Sequence, residues 1–206
     1  MTTFCKIMRR NYQITKLSGI HAAIALRCQT AHVWRAFRYD KQYAMPQNAP
    51  SQAPELQVSE WLNTQTPLSL AGLRGRVVVM EAFQMLCPGC VQGGLPQLAR
   101  VQEHFPESEV AVLGLHAVFE HHEAQGSRAA LAAFLHEFRY SFPTAIDCQP
   151  PEGAGRALPL TMAAYAMQGT PTLVLIDRQS RLRRQIFGHV ADMRLGAEIM
   201  ALIQER

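Results

Sequence analysis

The sequence predicts an α/β fold, a three-layer sandwich with a mixed central sheet flanked by helices. Two observations predict it. Apolar runs of strand length, at residues 77–83 and 110–115, alternate with longer segments whose apolar residues recur at helical spacing. The C-terminal part then sets two further runs on either side of a turn and closes on a helix, the pattern of a hairpin packed against the same sheet.

The elements follow in order. Residues 55–61 and 67–70 read as short strand or turn pieces, and Ser69 is placed to cap a single helical turn before Gly75. Val77-Val78-Val79-Met80-Glu81-Ala82-Phe83 is an apolar, β-branched run that reads as a buried strand. Leu95, Leu98, Val101 and Phe105 define a helix over 91–105, which Pro106 ends. A second strand over 110–115 precedes a polar loop. Ser127 is a good N-cap for an amphipathic helix over 128–138. A short strand is expected at 142–146, a loop at 147–158 and a short helix at 161–167. A strand at 172–176, a turn at 177–180, a strand at 182–187 and a helix at 193–204 complete the chain.

Charge divides the molecule. Residues 1–44 carry eight basic residues against Asp40 alone, whereas the rest carries twelve arginines against fifteen acids. Lys6, Lys16 and Lys41 are the lysines of the chain, and all lie in that first part. We expect a basic N-terminal extension over 1–44 (a targeting segment or a dispensable one), a proline-rich linker over 45–54 and one domain over 55–206. No basic stripe with interleaved aromatics marks the domain, so a nucleic-acid partner is not expected. No apolar run reaches about 18 residues, so no transmembrane segment is expected either.

Chemistry concentrates at Cys87-Pro88-Gly89-Cys90. The motif stands where a strand gives way to a helix. There, unpaired backbone N–H groups and the helix dipole favour a thiolate at the first sulfur. A thiolate is the attacking species of thiol–disulfide exchange. A structural zinc site would need a second ligand pair, and no second Cys-x2-Cys or His-x3-His follows.

From about Gln57 onward the chain resembles the thioredoxin superfamily, in particular the TlpA/ResA-like thiol–disulfide oxidoreductases and the AhpC/TSA redoxin group. The residues that carry the resemblance are Leu70-Ala71-Gly72-Leu73-Arg74-Gly75-Arg76-Val77-Val78-Val79, then Phe83, then Cys87 to Cys90, then Gly169-Thr170-Pro171-Thr172. The resemblance implies a thioredoxin-like fold and an enzyme in which Cys87 attacks a disulfide and Cys90 resolves the mixed disulfide. It implies a cis bond before Pro171 that turns the Thr170 backbone toward the dithiol, so that Thr170, Pro171, Pro88 and Gly89 meet the substrate. It implies that Glu81 is a buried acid relaying a proton, the alternative being a carboxylate at the sheet edge reaching solvent. No metal and no cofactor beyond the redox-active Cys87–Cys90 disulfide is implied. The substrate would be a protein or small-molecule disulfide, the partner a protein disulfide or dithiol, and the enzyme a monomer or weak dimer.

Leu86 stands before the first cysteine, where many members carry tryptophan. Pro96 lies six residues after Cys90, one further than usual, with Gly93-Gly94 ahead of it, which predicts a bulge in the helix. Two other readings use the same residues. In a peroxiredoxin-like peroxidase Cys90 would be the reactive thiol. In a copper- or zinc-binding redox chaperone Cys87 and Cys90 would join a histidine among His116, His121 and His122.

Overall fold

The computed structural model describes residues 51–151 and 158–205. The expected extension over 1–44, with Cys5 and Cys28, lies outside the described residues, as does most of the linker. The contacts of the domain already begin at Ser51, whose carbonyl accepts the Leu182 N–H at 2.8 Å. Gln52 bridges antiparallel to Arg181, and Ala53 is buried.

Six strands form one sheet: β1 (Val58–Leu62), β2 (Val77–Phe83), β3 (Val110–His116), β4 (Thr144–Asp147), β5 (Thr172–Ile176) and β6 (Leu182–Phe187). Their spatial order is β1-β4-β3-β2-β5-β6. β2, β3 and β4 run parallel, whereas β1, β5 and β6 pair antiparallel to their neighbours. Five helices accompany them among the described residues: α1 (Leu95–His104), α2 (His122–Gln125), α3 (Arg128–Glu137), α4 (Leu160–Ala164) and α5 (Asp192–Gln204).

β2 is the spine. All seven of its residues are buried because both faces are covered. The period-two alternation of a strand sends Val77, Val79 and Phe83 into one apolar cluster with Leu98 of α1, Leu131 of α3 and Ile199 of α5. It sends Val78, Met80 and Ala82 into the other cluster, with Leu73 and with Met162 of α4. The predicted three layers are therefore present, with α1, α3 and α5 on one face.

Several predicted boundaries shift. The helix expected over 91–105 is divided into a π-helical turn, Cys90–Gly94, and α1. The Leu95 N–H reaches back five residues to the Cys90 carbonyl. Pro96 has no N–H to donate, and the wider turn absorbs the extra residue at Gly93-Gly94. This is the bulge the spacing predicted. The short strand starts at Thr144 rather than 142, because Phe142 and Pro143 still turn into the sheet. The short helix ends at Ala164 rather than 167, closed by a left-handed residue at Ala166. Ser127 caps α3 as expected, its Oγ accepting the Ala130 N–H at 3.1 Å.

Topology positions the site. Phe83, His116 and Ile146 lie side by side at the C-terminal ends of three parallel strands. β5 runs the other way, pairing Thr172 with Ala82, so the loop before β5 arrives at the same edge.

Gly114 marks how tightly this edge is packed. A methyl group there would come within 2.9 Å of Thr144 Oγ1, 3.1 Å of Phe142 Cε2 and 3.2 Å of Phe83 Cε1, all of which are buried. Gly114→Ala should therefore destabilise the domain by ~1–3 kcal/mol in urea unfolding. An unchanged midpoint would mean that the two rings move aside freely.

Candidate active site

Beyond Phe83 the chain turns sharply, with the Cys87 N–H donating to the Gln84 carbonyl at 3.2 Å. The helix then starts, and the Val91 N–H donates to the Cys87 carbonyl at 3.1 Å. This places the Cys87 sulfur at the mouth of the first turn. The Cys90 N–H donates to it at 3.3 Å, which offers a hydrogen bond to negative charge developing on that sulfur. Both cysteines are free thiols.

The two sulfurs differ in environment. Cys87 is half-buried, whereas Cys90 is 0% exposed. Burial pushes the Cys90 thiol far above its ordinary range, and its contact with Cys87 acts in the same direction. Backbone contact with Gln84 and the hydrogen bond with Thr170 oppose that shift without cancelling it.

The other predicted residues converge here although about 80 positions separate them in sequence. The Thr170–Pro171 bond is cis. The Cys87 thiol lies 3.5 Å from the Thr170 carbonyl oxygen. A Cβ on Gly89 would sit 3.2 Å from Pro171 Cδ, so the glycine lets the cysteine turn lie directly on the proline ring. Pro88 is exposed beside them.

Glu81 does not reach solvent at the sheet edge. It is 2% exposed, on the face of β2 that α1 covers, and a Cβ on Gly94 would collide with its carboxyl group. Burial raises its pKa to about 8, with no compensating charge among the described residues. The three histidines do not cluster. His116 ends β3 with its ring 5.3 Å from that of Phe83, and burial lowers its pKa to about 4. Its Nε2 has no hydrogen-bond partner among the described residues. His121 and His122 are exposed. Among the described residues no three His, Cys, Asp or Glu side chains are grouped to hold a metal ion.

A groove of about 330 Å³ opens beside Cys87, lined by Leu86 and Pro88, by Phe119 and His121, and by Phe187. Leu86 and Phe187 are 55% and 58% exposed, which makes the surround of the thiol apolar. The sequence reading assigned no role to Phe119, Phe187, Gln84 or Gln125. Phe187 was identifiable only as the last residue of an edge strand, and the two glutamines carried no motif.

No family model matches the chain. Among solved structures it is similar to the thioredoxin-like superfamily protein SPOA0173, with 55% identity and a TM-score of 0.71 over 79% of this chain and 99% of that one. The chain belongs to the thioredoxin-like superfamily. It is also similar to a thiol-disulfide isomerase from Corynebacterium glutamicum, with 47% identity and a TM-score of 0.69 over 75% of this chain and 98% of that one. Among curated proteins it is 29% identical to the protein DipZ of Mycobacterium bovis and of Mycobacterium tuberculosis over 140 residues. That match covers 66% of this chain but spans only 18% of DipZ. The superfamily, the fold and the paired thiols make this chain a thioredoxin-like thiol–disulfide oxidoreductase.

The buried acid has a thermodynamic signature. In the folded protein Glu81 keeps its proton up to about pH 8, against an ordinary value of 4.5. Between those values the folded state binds more protons than the unfolded chain, so stability falls as pH rises. His116, lowered from 6.5 to about 4, acts with the opposite sign below pH 6.5. From pH 6.5 to 8 the Glu81 slope is no longer opposed by His116. Urea unfolding in this window should show wild type losing about 1 kcal/mol per pH unit, with Glu81→Gln flattening the curve. Parallel curves for the two proteins would show that the carboxyl ionises freely.

Proposed function

We propose that this chain exchanges electrons with protein disulfides or dithiols, with Cys87 as the attacking thiol and Cys90 as the resolving one. The observation that carries the reading is the asymmetry of the pair. Cys87 opens on the apolar groove beside the Thr170 carbonyl, and Cys90 is wholly buried one turn further in.

In the reducing direction the Cys87 thiolate attacks one sulfur of a substrate disulfide. A Cys87–substrate disulfide forms, and the other substrate sulfur leaves as a thiolate that takes up a proton. Cys90 then loses its proton and attacks the Cys87 sulfur. The Cys87–Cys90 bond closes and the second substrate thiol departs. Two electrons and two protons pass to the substrate, and the oxidising direction is the reverse.

The step that needs help is deprotonation of Cys90, because burial holds its proton tightly. Glu81, buried under Gly94 of the same turn, is the group assigned to this step, a base when ionised and an acid below about pH 8. Thr170, Pro171, Pro88 and Gly89 form the shelf against which an extended substrate segment lies. The exposed Leu86 and Phe187 favour a polypeptide over a small polar disulfide.

Burial also weighs against Cys90 as a peroxide-reactive thiol, since peroxide must reach the sulfur it oxidises. The spread of His116, His121 and His122 gives a metal chaperone no third ligand among the described residues.

Insulin disulfides provide a test. Cys87→Ser should abolish insulin reduction, and Cys90→Ser should accumulate a covalent adduct on Cys87. Glu81→Gln should slow resolution of that adduct about a hundredfold when placed in the otherwise native dithiol. Turnover by Cys87→Ser, or an adduct mapped to Cys90, would overturn the assignment.

A further inference from the structure

We propose that Gln84 and Gln125 form a buried amide clamp that sets the width of the substrate groove and thereby positions Cys87 for protein substrates; the proposal rests on the dithiol reading above. β2 and β3 pair up to Phe83 and His116, with one further bond from the Ala117 N–H to the Phe83 carbonyl at 3.0 Å. Past that point the strands part. One continues to Leu86 and Cys87, the other to Phe119 and His121, and both segments line the groove.

Two side-chain amides span the gap. Gln84 is 3% exposed, and its Oε1 accepts the Phe119 N–H at 3.2 Å and the Glu120 N–H at 3.3 Å. It also accepts the Gln125 Nε2 at 3.0 Å. Gln125 is 1% exposed; its Nε2 also donates to the Glu120 carbonyl at 2.7 Å, and its Oε1 accepts the Leu86 N–H at 3.1 Å. The backbone groups they face fix the orientation of both amides, since an N–H needs an oxygen opposite it and a carbonyl needs an N–H.

Gln84 is tied to the dithiol as well. Its carbonyl accepts the Cys87 N–H at 3.2 Å, and its backbone contact with Cys90 opposes the rise of that thiol's pKa. The same residue therefore holds the opposite wall with its side chain and the cysteine turn with its backbone. Buried amides without partners are costly, so the pair holds its geometry only while every bond is made. A substrate entering the groove meets walls already at their working separation.

The test reads KM apart from kcat in insulin reduction by the full chain. Gln84→Met keeps the length and removes the acceptor, and should raise KM about tenfold while kcat stays within about twofold. Gln84→Glu restores an acceptor for the same three N–H groups and should recover most of that loss. Gln125→Leu breaks the clamp from its other end and should raise KM similarly; if Gln84→Met does not fold, this variant decides alone. A fall in kcat with KM unchanged, or no change in either, would show that the amides are only structural and would overturn the clamp. Loss of turnover in Cys87→Ser alongside that result sinks the clamp alone, whereas turnover persisting in Cys87→Ser sinks the dithiol reading and the clamp together.

Discussion

The active-site turn is pressed onto its support with no room to spare, and the rest of the site depends on that contact. Cys87 to Gly94 passes over the end of β2 and against the loop that enters β5. Glycines stand at two close approaches, Gly89 over Pro171 and Gly94 over Glu81. A Cβ on Gly89 would crowd the Pro171 ring and one on Gly94 would collide with the Glu81 carboxyl, so a larger residue at either must displace that neighbour or lift the turn. A lifted turn would expose Cys90 and separate the Cys87 sulfur from the Thr170 carbonyl, now 3.5 Å away.

Close seating is what makes two chemically identical thiols unequal. The first sulfur lies at the helix mouth with an N–H aimed at it, and the second is drawn into the core cluster among Leu95, Val79 and Phe83. The same burial keeps a proton on Glu81 to about pH 8 and removes one from His116 down to about pH 4. Glu81 packs under Gly94 of the active-site turn, and burial alone lifts its titration toward neutrality. Its charged form is unfavourable for the fold, because burial strips the carboxylate of water.

Much of this was legible in the sequence. The strands Val77–Phe83, Thr172–Ile176 and Leu182–Phe187 fall where their apolar and β-branched runs predict, because such runs suit a covered, pleated surface. Local chemistry also identified the Ser127 cap, and the bulge near Gly93-Gly94 followed from the spacing of Pro96 against the family pattern. The convergence of Cys87 with Thr170 and Pro171 was legible only through the family resemblance, since nothing local announces a contact across 83 residues. Burial of Glu81 could not be read from its own strand, because it depends on α1 lying over that face. His116 looked like part of a polar loop, yet one more residue of strand pairing, with Phe83 and Ile146, carries it into the core. Gln84 and Gln125 looked like ordinary turn residues. Their role arises from two loops meeting in space, which sequence spacing does not encode.

The central claim is that the dithiol is unequal by construction, and alkylation of the reduced, native protein tests it most directly. Iodoacetamide should modify Cys87 first, with Cys148 slower and Cys90 protected until the domain is unfolded, as read by peptide mass mapping over time. Modification of Cys90 ahead of Cys87, or of both at the same rate, would contradict the account.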